Sequence, residues 1–154
     1  MRIETSTTIN APRGAVWDYV TDPANPLEFM EGMTRWEVAG SVDRGLGARY
    51  RVLFHVGSAN VGGLVEVVEW DPPGDMAWSS VTGVDQRGRW RLRELPDGRT
   101  RLVFRFAYGV AGAGVPGLIA EWVAARPLRR RFGRSVLNVK RALEAETFTE
   151  AVSR

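Results

Sequence analysis

The chain contains no cysteine, and His55 is its single histidine among 154 residues. Disulfide bonds and thiolate metal sites are therefore excluded, and a reducing compartment is allowed. One histidine without thiols also gives no basis for a transition-metal site, so we expect neither a metal nor another cofactor. His55 alternates in step with Arg49 and Arg51, which predicts an outer-face position on a strand and no part in catalysis.

Long apolar runs are also missing. No segment approaches the roughly 18 apolar residues that a membrane-spanning helix needs, and residues 1–17 lack the apolar core of a signal peptide. We therefore expect a soluble cytoplasmic protein without integral membrane association. Basic and acidic residues nearly balance at 21 and 18, and almost all the basic residues are arginine. This bias toward arginine is more typical of a GC-rich genome than of a protein that binds nucleic acid. We therefore expect no nucleic-acid partner.

A hydrophobic content of 44% is enough for a single domain over residues 1–154 with its own core. Within 114–146, apolar residues recur every three or four positions, which predicts a long amphipathic helix. Pro127 lies inside this segment, so one kinked helix and two helical pieces are both consistent with it. The apolar positions are Leu118, Trp122, Ala125, Phe132, Val136, Val139 and Leu143.

The preceding part of the chain predicts mainly strands. Residues 3–9 alternate as a strand does, and two short helical segments follow, over 14–20 and between Asp22 and Gly32. Short turns then separate six further strands, which predicts an antiparallel meander. Along these strands arginine alternates with aromatic residues, so one face carries charge and the other is apolar. The predicted strands are 33–40, 48–56, 61–70, 76–83, 88–95 and 101–110.

A sheet and a helix that each have one apolar face are expected to pack together. The predicted fold is α+β: a seven-stranded curved antiparallel sheet wrapped round the long C-terminal helix, with two short helices after the first strand. A helix meets a concave sheet only along a line. The remaining gap between them is where we expect a ligand to bind.

Four segments carry a family resemblance: INAPRGAVWDYVTDP, VEVVEWDPP before a turn, the hairpin GRWRLRELPDGRTRLVFRF, and the terminal helix. On these the chain resembles the START and birch-pollen-allergen (SRPBCC) superfamily, whose arrangement is called the helix-grip fold. Within it, the chain is most similar to the bacterial polyketide cyclase/dehydrase-like and lipid-transport-like branch. The resemblance covers essentially the whole chain, and it implies a deep apolar cavity between sheet and helix.

Aromatic side chains are expected to line the inner face of the sheet. Each of them taken alone is more often a core residue, but the chain has six tryptophans, which together favour a ligand pocket. Small-molecule pockets are apolar, measure roughly 300–1,000 Å³ and carry a few polar groups. The predicted ligand-binding residues are Trp36, Tyr50, Phe54, Trp78, Ser80, Trp90, Phe104, Phe106, Tyr108 and Trp122.

Five polar residues share the alternation of these aromatics, Ser80 and Thr82 among them, and the other three are candidates for proton transfer: Tyr50, Glu94 and Tyr108. Glu94 has a second interpretation, because it ends a strand beside a Pro-Asp-Gly turn and can be solvated there. In a regular strand, the side chains of Glu66 and Glu69 point to opposite faces of the sheet, because three positions separate them. One of them is therefore expected to point inward unless a bulge intervenes.

These observations leave three functional hypotheses. The first is a monomeric or homodimeric protein that binds or carries a hydrophobic small molecule, such as a lipid or a polyketide-like compound. The second is a cofactor-independent cyclase, aromatase or dehydrase. The third is a regulatory or chaperone-associated interaction protein that uses the arginines of 126–134, which otherwise form a solvated helix face.

A glycine-rich segment, GAGVPG at 112–117, matches a dinucleotide-binding fingerprint. No parallel strand follows it, as that fold requires. We interpret the glycines as a mobile mouth of the cavity.

Overall fold

The computed structural model describes residues 2–56, 58–109 and 114–153, without the side chains of 56, 114–127, 147, 148 and 151. The order of elements is the one predicted from the sequence. The elements are β1 (Arg2–Ile9), α1 (Arg13–Thr21), α2 (Pro26–Phe29), β2 (Met33–Val38), β3 (Arg49–Val56), β4 (Ala59–Asp71), β5 (Asp75–Ser80), β6 (Asp85–Glu94), β7 (Thr100–Gly109) and α3 (Gly114–Val152).

The seven strands form one antiparallel sheet in the order β1-β7-β6-β5-β4-β3-β2. Strands β2 to β7 are joined in succession as antiparallel neighbours, by a longer loop over 39–48 between β2 and β3 and by short turns after that. β1 closes the other side of the sheet by pairing with β7, where Ile3 lies opposite Phe106. This topology, with α3 packed on the concave face, confirms the predicted helix-grip fold.

α3 is a single helix of 39 residues that continues through Pro127, so the one-helix alternative is correct. At 1.5 Å per residue it is about 58 Å long. Its described apolar row packs against the sheet, while Arg129, the one polar residue at the spacing of that row, is exposed. The buried positions are Leu128, Phe132, Val136, Val139 and Leu143. The side chains of Leu118, Trp122 and Ala125 lie outside the described residues.

A β-bulge in β4 decides the orientation of the two glutamates that the sequence left open. The pairing of β4 with β5 shifts register between Val67 and Glu69, and Val68 is 53% exposed. The extra residue resets the alternation, so both glutamates lie on the convex face. Glu66 pairs with Arg49 at 2.9 Å, and Glu69 pairs with an arginine of β6 at 2.5 Å. Neither glutamate points inward.

The middle of α3 is attached to the turn between α2 and β2. Arg134 pairs with Glu31 at 2.8 Å, and the amide N–H of Glu31 donates to Ser135 Oγ at 3.0 Å. The Arg131 guanidinium donates to the carbonyl oxygen of His55 and lies over Gly32. A Cβ at Gly32 would be 2.7 Å from that guanidinium, and φ there is +84°, so glycine is required.

These contacts give two residues of the arginine cluster a structural role on α3. His55 is exposed, with Nδ1 3.2 Å from Asn60 Oδ1, in agreement with its predicted outer-face position. Among the helices that the structure describes, none has the length and apolar character to cross a membrane.

Candidate functional site

The concave face is covered by aromatic rings in mutual contact. Trp36 stacks on Tyr50 with ring centroids 4.9 Å apart and meets Trp78 edge-on at 5.6 Å. Phe104 meets Phe132 of α3 at 5.1 Å, which joins the sheet to the helix. Seven of the predicted ligand-binding residues are buried in this cluster. They are Trp36, Tyr50, Phe54, Trp78, Trp90, Phe104 and Phe106.

Beside the α1–α2 connection the described rings interlock and leave a small cavity of about 10 Å³, room for about one water molecule. Its walls include Phe29 and Met30 together with Trp36, Tyr50 and Trp78. The deep cavity that the family resemblance implies stays a prediction, because the side chains of 114–127 on α3 lie outside the described residues.

A row of polar side chains crosses the concave face at one end of this cluster. It consists of Tyr50 on β3, Ser80 on β5, Gln86 on β6 and Tyr108 on β7, and we call it the polar row. The strand register places these residues side by side across the sheet. Tyr50 and Ser80 both lie opposite Val65, and Gln86 lies opposite Tyr108. The amide N–H of Gln86 donates to Ser80 Oγ at 3.2 Å, which closes the link between β5 and β6.

Gln86 is the member of the polar row that sequence reasoning missed. The sixth predicted strand began at Gly88, so residues 85–87 were assigned to a turn, whereas β6 begins at Asp85. The sequence did contain a signal that Gln86 lies on the inner face of the sheet. Gln86 precedes Gly88 and Trp90 at the strand interval of two, and therefore belongs to the inner face once the strand is extended.

Within the described part of the chain, three buried polar atoms of this region have no hydrogen-bond partner: Trp36 Nε1, Trp78 Nε1 and Gln86 Oε1. The three residues are 9%, 3% and 3% exposed. Buried polar groups in native proteins are nearly always paired, and leaving one unpaired costs about 1–3 kcal/mol. The concave face thus presents two hydrogen-bond donors and one acceptor within an apolar surround.

Trp78 is held in place by a glycine on the neighbouring strand. A Cβ at Gly88 would lie 2.0 Å from the Trp78 ring, so the indole packs directly on the β6 backbone. Any larger residue at Gly88 would displace the ring from its present position. The glycine therefore positions one of the unpaired indole N–H groups.

Tyr50 is fully paired, in contrast to Gln86. Its hydroxyl donates to the carbonyl oxygen of Asp43 at 2.7 Å. Burial, with a contribution from the charge of Asp43, raises the pKa of Tyr50 from 10.0 to about 12. A hydroxyl with this pKa stays protonated near neutral pH, so Tyr50 is suited to holding a hydrogen bond rather than to exchanging a proton.

The three candidates for proton transfer do not converge. Tyr50 and Tyr108 lie four strand steps apart, about 19 Å along the sheet. Glu94 is exposed at the far end of β6, about 27 Å along the strand from Gln86. Its position agrees with the solvated alternative. Ser80 and Tyr108 are half-buried, and the side chain of Trp122 lies outside the described residues.

No three histidine, aspartate or glutamate side chains in the described part of the chain gather as a metal site would require. The glycine-rich segment extends into residues 110–113, which also lie outside the described residues. The proposed mobile mouth of the cavity therefore stays a prediction.

Solved structures with similar folds cover nearly the whole chain. Protein TTHA0849 from Thermus thermophilus is 21% identical, with a TM-score of 0.77 over 95% of this chain and 99% of that one. The Zhui aromatase/cyclase from Streptomyces sp. R1128 is 20% identical, with a TM-score of 0.79 over 96% and 95%. Protein DR_A0006 from Deinococcus radiodurans is 18% identical, with a TM-score of 0.72 over 95% and 98%. At these identities the similarity establishes the fold alone.

Among curated protein sequences, none matches this chain. A family model does match it, over residues 1–144. The family is described as polyketide cyclase / dehydrase and lipid transport, and the match spans all seven strands and most of α3. The chain therefore belongs to the polyketide cyclase/dehydrase and lipid transport family.

Proposed function

We propose that the protein binds a hydrophobic small molecule with oxygen substituents, lipid-like or polyketide-like, between the concave sheet and α3. The observation that carries the proposal is the set of unpaired buried atoms at Trp36, Trp78 and Gln86. A ligand that pairs with these atoms recovers the free energy that the empty site loses. The family to which the chain belongs, with its cyclases and lipid carriers, supports the same class of ligand.

The chemistry of the three atoms defines what the ligand must present. The indole N–H groups of Trp36 and Trp78 donate, so they require carbonyl, ether or hydroxyl oxygens. Gln86 Oε1 accepts, so it requires a hydroxyl hydrogen. The surrounding rings favour a flat or extended apolar body over a bulky one. A phenol or an enolised ketone meets all of these conditions.

Beside the α1–α2 connection, binding requires the described side chains to move. The cavity there, of about 10 Å³, is far smaller than the roughly 300 Å³ that a small-molecule pocket occupies. Rings that line it, such as Phe29 and Trp36, must therefore move when a ligand enters. If the open form is a minor state, its population lowers the apparent affinity in proportion.

The alternative is a cofactor-independent cyclase, aromatase or dehydrase. The family match supports it, as does the fold shared with an aromatase/cyclase. Against it stands the separation of Tyr50, Glu94 and Tyr108, together with the paired, high-pKa state of Tyr50. Binding is the function that the described geometry supports better.

The test compares 2-naphthol with 2-methylnaphthalene, which have the same ring system but differ in the hydroxyl. We expect the wild-type protein to bind 2-naphthol about tenfold more tightly, because the hydroxyl pairs with buried partners. Isothermal titration calorimetry and quenching of tryptophan fluorescence both measure this preference. In Gln86→Leu we expect the preference to fall while binding of 2-methylnaphthalene is retained.

Gln86→Leu should also fold at least as stably as the wild type, because it removes a buried acceptor that has no partner. Glu94→Gln is the matched control, since Glu94 is exposed and distant, and it should leave both affinities unchanged. Failure of the wild-type protein to bind either compound, or an undiminished preference in Gln86→Leu, would contradict the proposal.

A further inference from the structure

A second depression lies on the convex face of the sheet, on the side away from α3. It has a volume of about 460 Å³ and extends over β5, β6, β7 and β1. Its floor is formed by the small side chains of Ala77, Ser79 and Ala107, and by the β6 backbone at Gly88. Its walls are formed by larger residues of the same face. We call this depression the convex groove, and its arginines are Arg2, Arg87, Arg89 and Arg105.

Two of these arginines are neutralised by carboxylates. Arg89 pairs with Glu69 at 2.5 Å, and Arg105 pairs with Glu4 at 2.9 Å. Both pairs belong to one row of the sheet, because Arg89 lies directly opposite Arg105 and Arg105 directly opposite Glu4. The carboxylates lie on the outer sides of the two adjacent arginines and offset the repulsion between them.

The other two arginines belong to the next row, and none of the described carboxylates pairs with them. Arg87 and Arg2 flank Ala107 from either side, since Ala107 lies opposite Arg87 on β6 and opposite Arg2 on β1. The two strands are about 10 Å apart, and both arginines are exposed. Among the described residues, neither guanidinium makes an ion pair or a hydrogen bond. Ser79 adds a hydroxyl donor at the end of the same row.

We propose that the convex groove binds a small phosphate monoester. Four guanidinium groups and two carboxylates leave a surplus of two positive charges, which matches the dianion that a phosphate monoester forms near neutral pH. Guanidinium groups bind phosphate oxygens through paired N–H donors, and the two unpaired arginines are free to do so. The organic part of the ligand then lies over Ala107 and the exposed Val68.

The shape of the groove favours a small molecule over a membrane or a nucleic acid. Its volume of about 460 Å³ is in the range of small-molecule sites, and its floor is recessed between side chains. The aromatic residues that line it, Trp78 and Phe106, are buried with 3% and 6% exposure. They offer no exposed ring on which a base could stack.

The test uses phenyl phosphate, with benzenesulfonate as a monoanion of similar shape. In a two-dimensional NMR titration of backbone amides, we expect phenyl phosphate to shift the signals of Arg87 and Ala107. We expect it to bind more tightly than benzenesulfonate at equal ionic strength. Arg87→Gln and Arg2→Gln should each weaken phenyl phosphate binding about fivefold, the effect of losing one exposed ion pair.

Arg51→Gln is the matched control, because Arg51 is an exposed arginine of the convex face on β3, outside the groove. It should leave the affinity unchanged. Equal weakening by Arg51→Gln would show a general surface-charge effect and overturn the proposal. Equal affinity for the two anions would overturn it as well, as would binding to phosphatidylglycerol vesicles but not to phenyl phosphate. None of these outcomes depends on ligand binding at the concave face.

Discussion

Two residues of the polar row, Tyr50 and Gln86, differ in how their polar atoms are satisfied. The hydroxyl of Tyr50 donates to a backbone carbonyl, whereas Gln86 Oε1 is buried without a partner. A paired buried group stabilises the fold, and an unpaired one lowers stability until something binds it. The hydrogen bond of Tyr50 therefore stabilises the fold, whereas the side chain of Gln86 is available to bind a ligand.

We expect Tyr50→Phe to lower the free energy of unfolding by about 1 kcal/mol near neutral pH, because the carbonyl of Asp43 loses its donor. The pKa of Tyr50 is raised from 10.0 to about 12 in the folded protein. The stabilisation is therefore complete below pH 10 and is lost as the pH rises toward 12. The advantage of the wild type over Tyr50→Phe should fall across this interval, as measured by urea denaturation.

The control for this experiment is Tyr19→Phe. Tyr19 is half-buried and its ring packs on Phe29, so the variant should retain the alkaline loss of stability that Tyr50 causes. Tyrosinate absorbance provides an independent measurement. If every tyrosine of the folded protein ionised at the ordinary pKa, the assignment of Tyr50 as a buried, protonated donor would be wrong.

At the scale of secondary-structure elements, Asp75 joins β5 to β6 on the convex face. Its carboxylate accepts from Arg91 Nε at 3.1 Å and from Arg93 Nη2 at 3.0 Å, and Arg89 Nη1 lies 3.8 Å away. The three arginines occupy alternate positions of one strand and repel one another. The carboxylate, only 14% exposed, offsets that repulsion.

We expect Asp75→Asn to lower the free energy of unfolding by about 1–2 kcal/mol near neutral pH. Burial alone would raise the pKa of Asp75, but hydrogen bonds from Arg91 and Arg93 hold this pKa below its ordinary 3.8. The stabilisation by Asp75 is therefore present above pH 3.8 and is lost as the pH falls through the lower pKa of the folded state. Urea denaturation across the acid range should show the wild type converging on the variant.

Asp71→Asn is the matched control, because Asp71 is an exposed aspartate directly opposite Asp75 across the β4–β5 turn. It removes the same charge without touching the arginines and should change stability little. If the two variants were equally unstable, the effect would be one of net charge and not of the contacts of Asp75.

Most elements could be predicted from the sequence, because alternation along a strand and three-to-four spacing along a helix are local signals. The bulge at Val68 could not, since it depends on how β4 pairs with β5. The start of β6 at Asp85 was missed for a related reason: residues 85–87 carry turn-like chemistry, but all three pair with β7 and Arg87 also pairs with β5. Cross-strand pairing supplies the hydrogen bonds that override local preference there.

At the scale of the whole molecule, the first strand and the last helix are connected by Lys140 and Glu144. Lys140 Nζ donates to the carbonyl oxygen of Thr8 at 2.9 Å and to Glu144 Oε1 at 2.6 Å. The same carboxylate oxygen accepts from the amide N–H of Asn10 at 3.0 Å. These contacts fix α3 to the end of β1.

We expect Glu144→Ala to lower the free energy of unfolding by about 1 kcal/mol. It should also accelerate hydrogen exchange at the Asn10 amide, which loses its acceptor. The hydrogen bond from Lys140, and then that from the Asn10 amide, lowers the pKa of Glu144 below 4.5, so the contribution disappears as the pH falls through the lowered value. Glu150→Ala, on an exposed position of the same helix, should change neither quantity. Identical behaviour of the two variants would contradict the connection.

The fold as a whole was predictable because the apolar faces of sheet and helix have one simple way to pack. The candidate site was predictable only in part. Trp36 and Trp78 followed from strand alternation, but whether their indole N–H groups find partners depends on the three-dimensional arrangement of distant strands. The small size of the space among the described rings beside the α1–α2 connection likewise results from side-chain packing, which alternation does not encode.

The position of β1 beside β7 has a consequence for how the chain is made. Ile3 pairs with Phe106, so about 100 residues must be synthesised before the first strand meets its partner. At about 5–20 residues per second, β1 waits roughly 5–20 s after it is translated. By then the hairpins of β2 to β6 are complete, whereas β1 has had no strand to pair with. The N-terminal strand is consequently the segment that a ribosome-associated chaperone would meet in an extended, unpaired state.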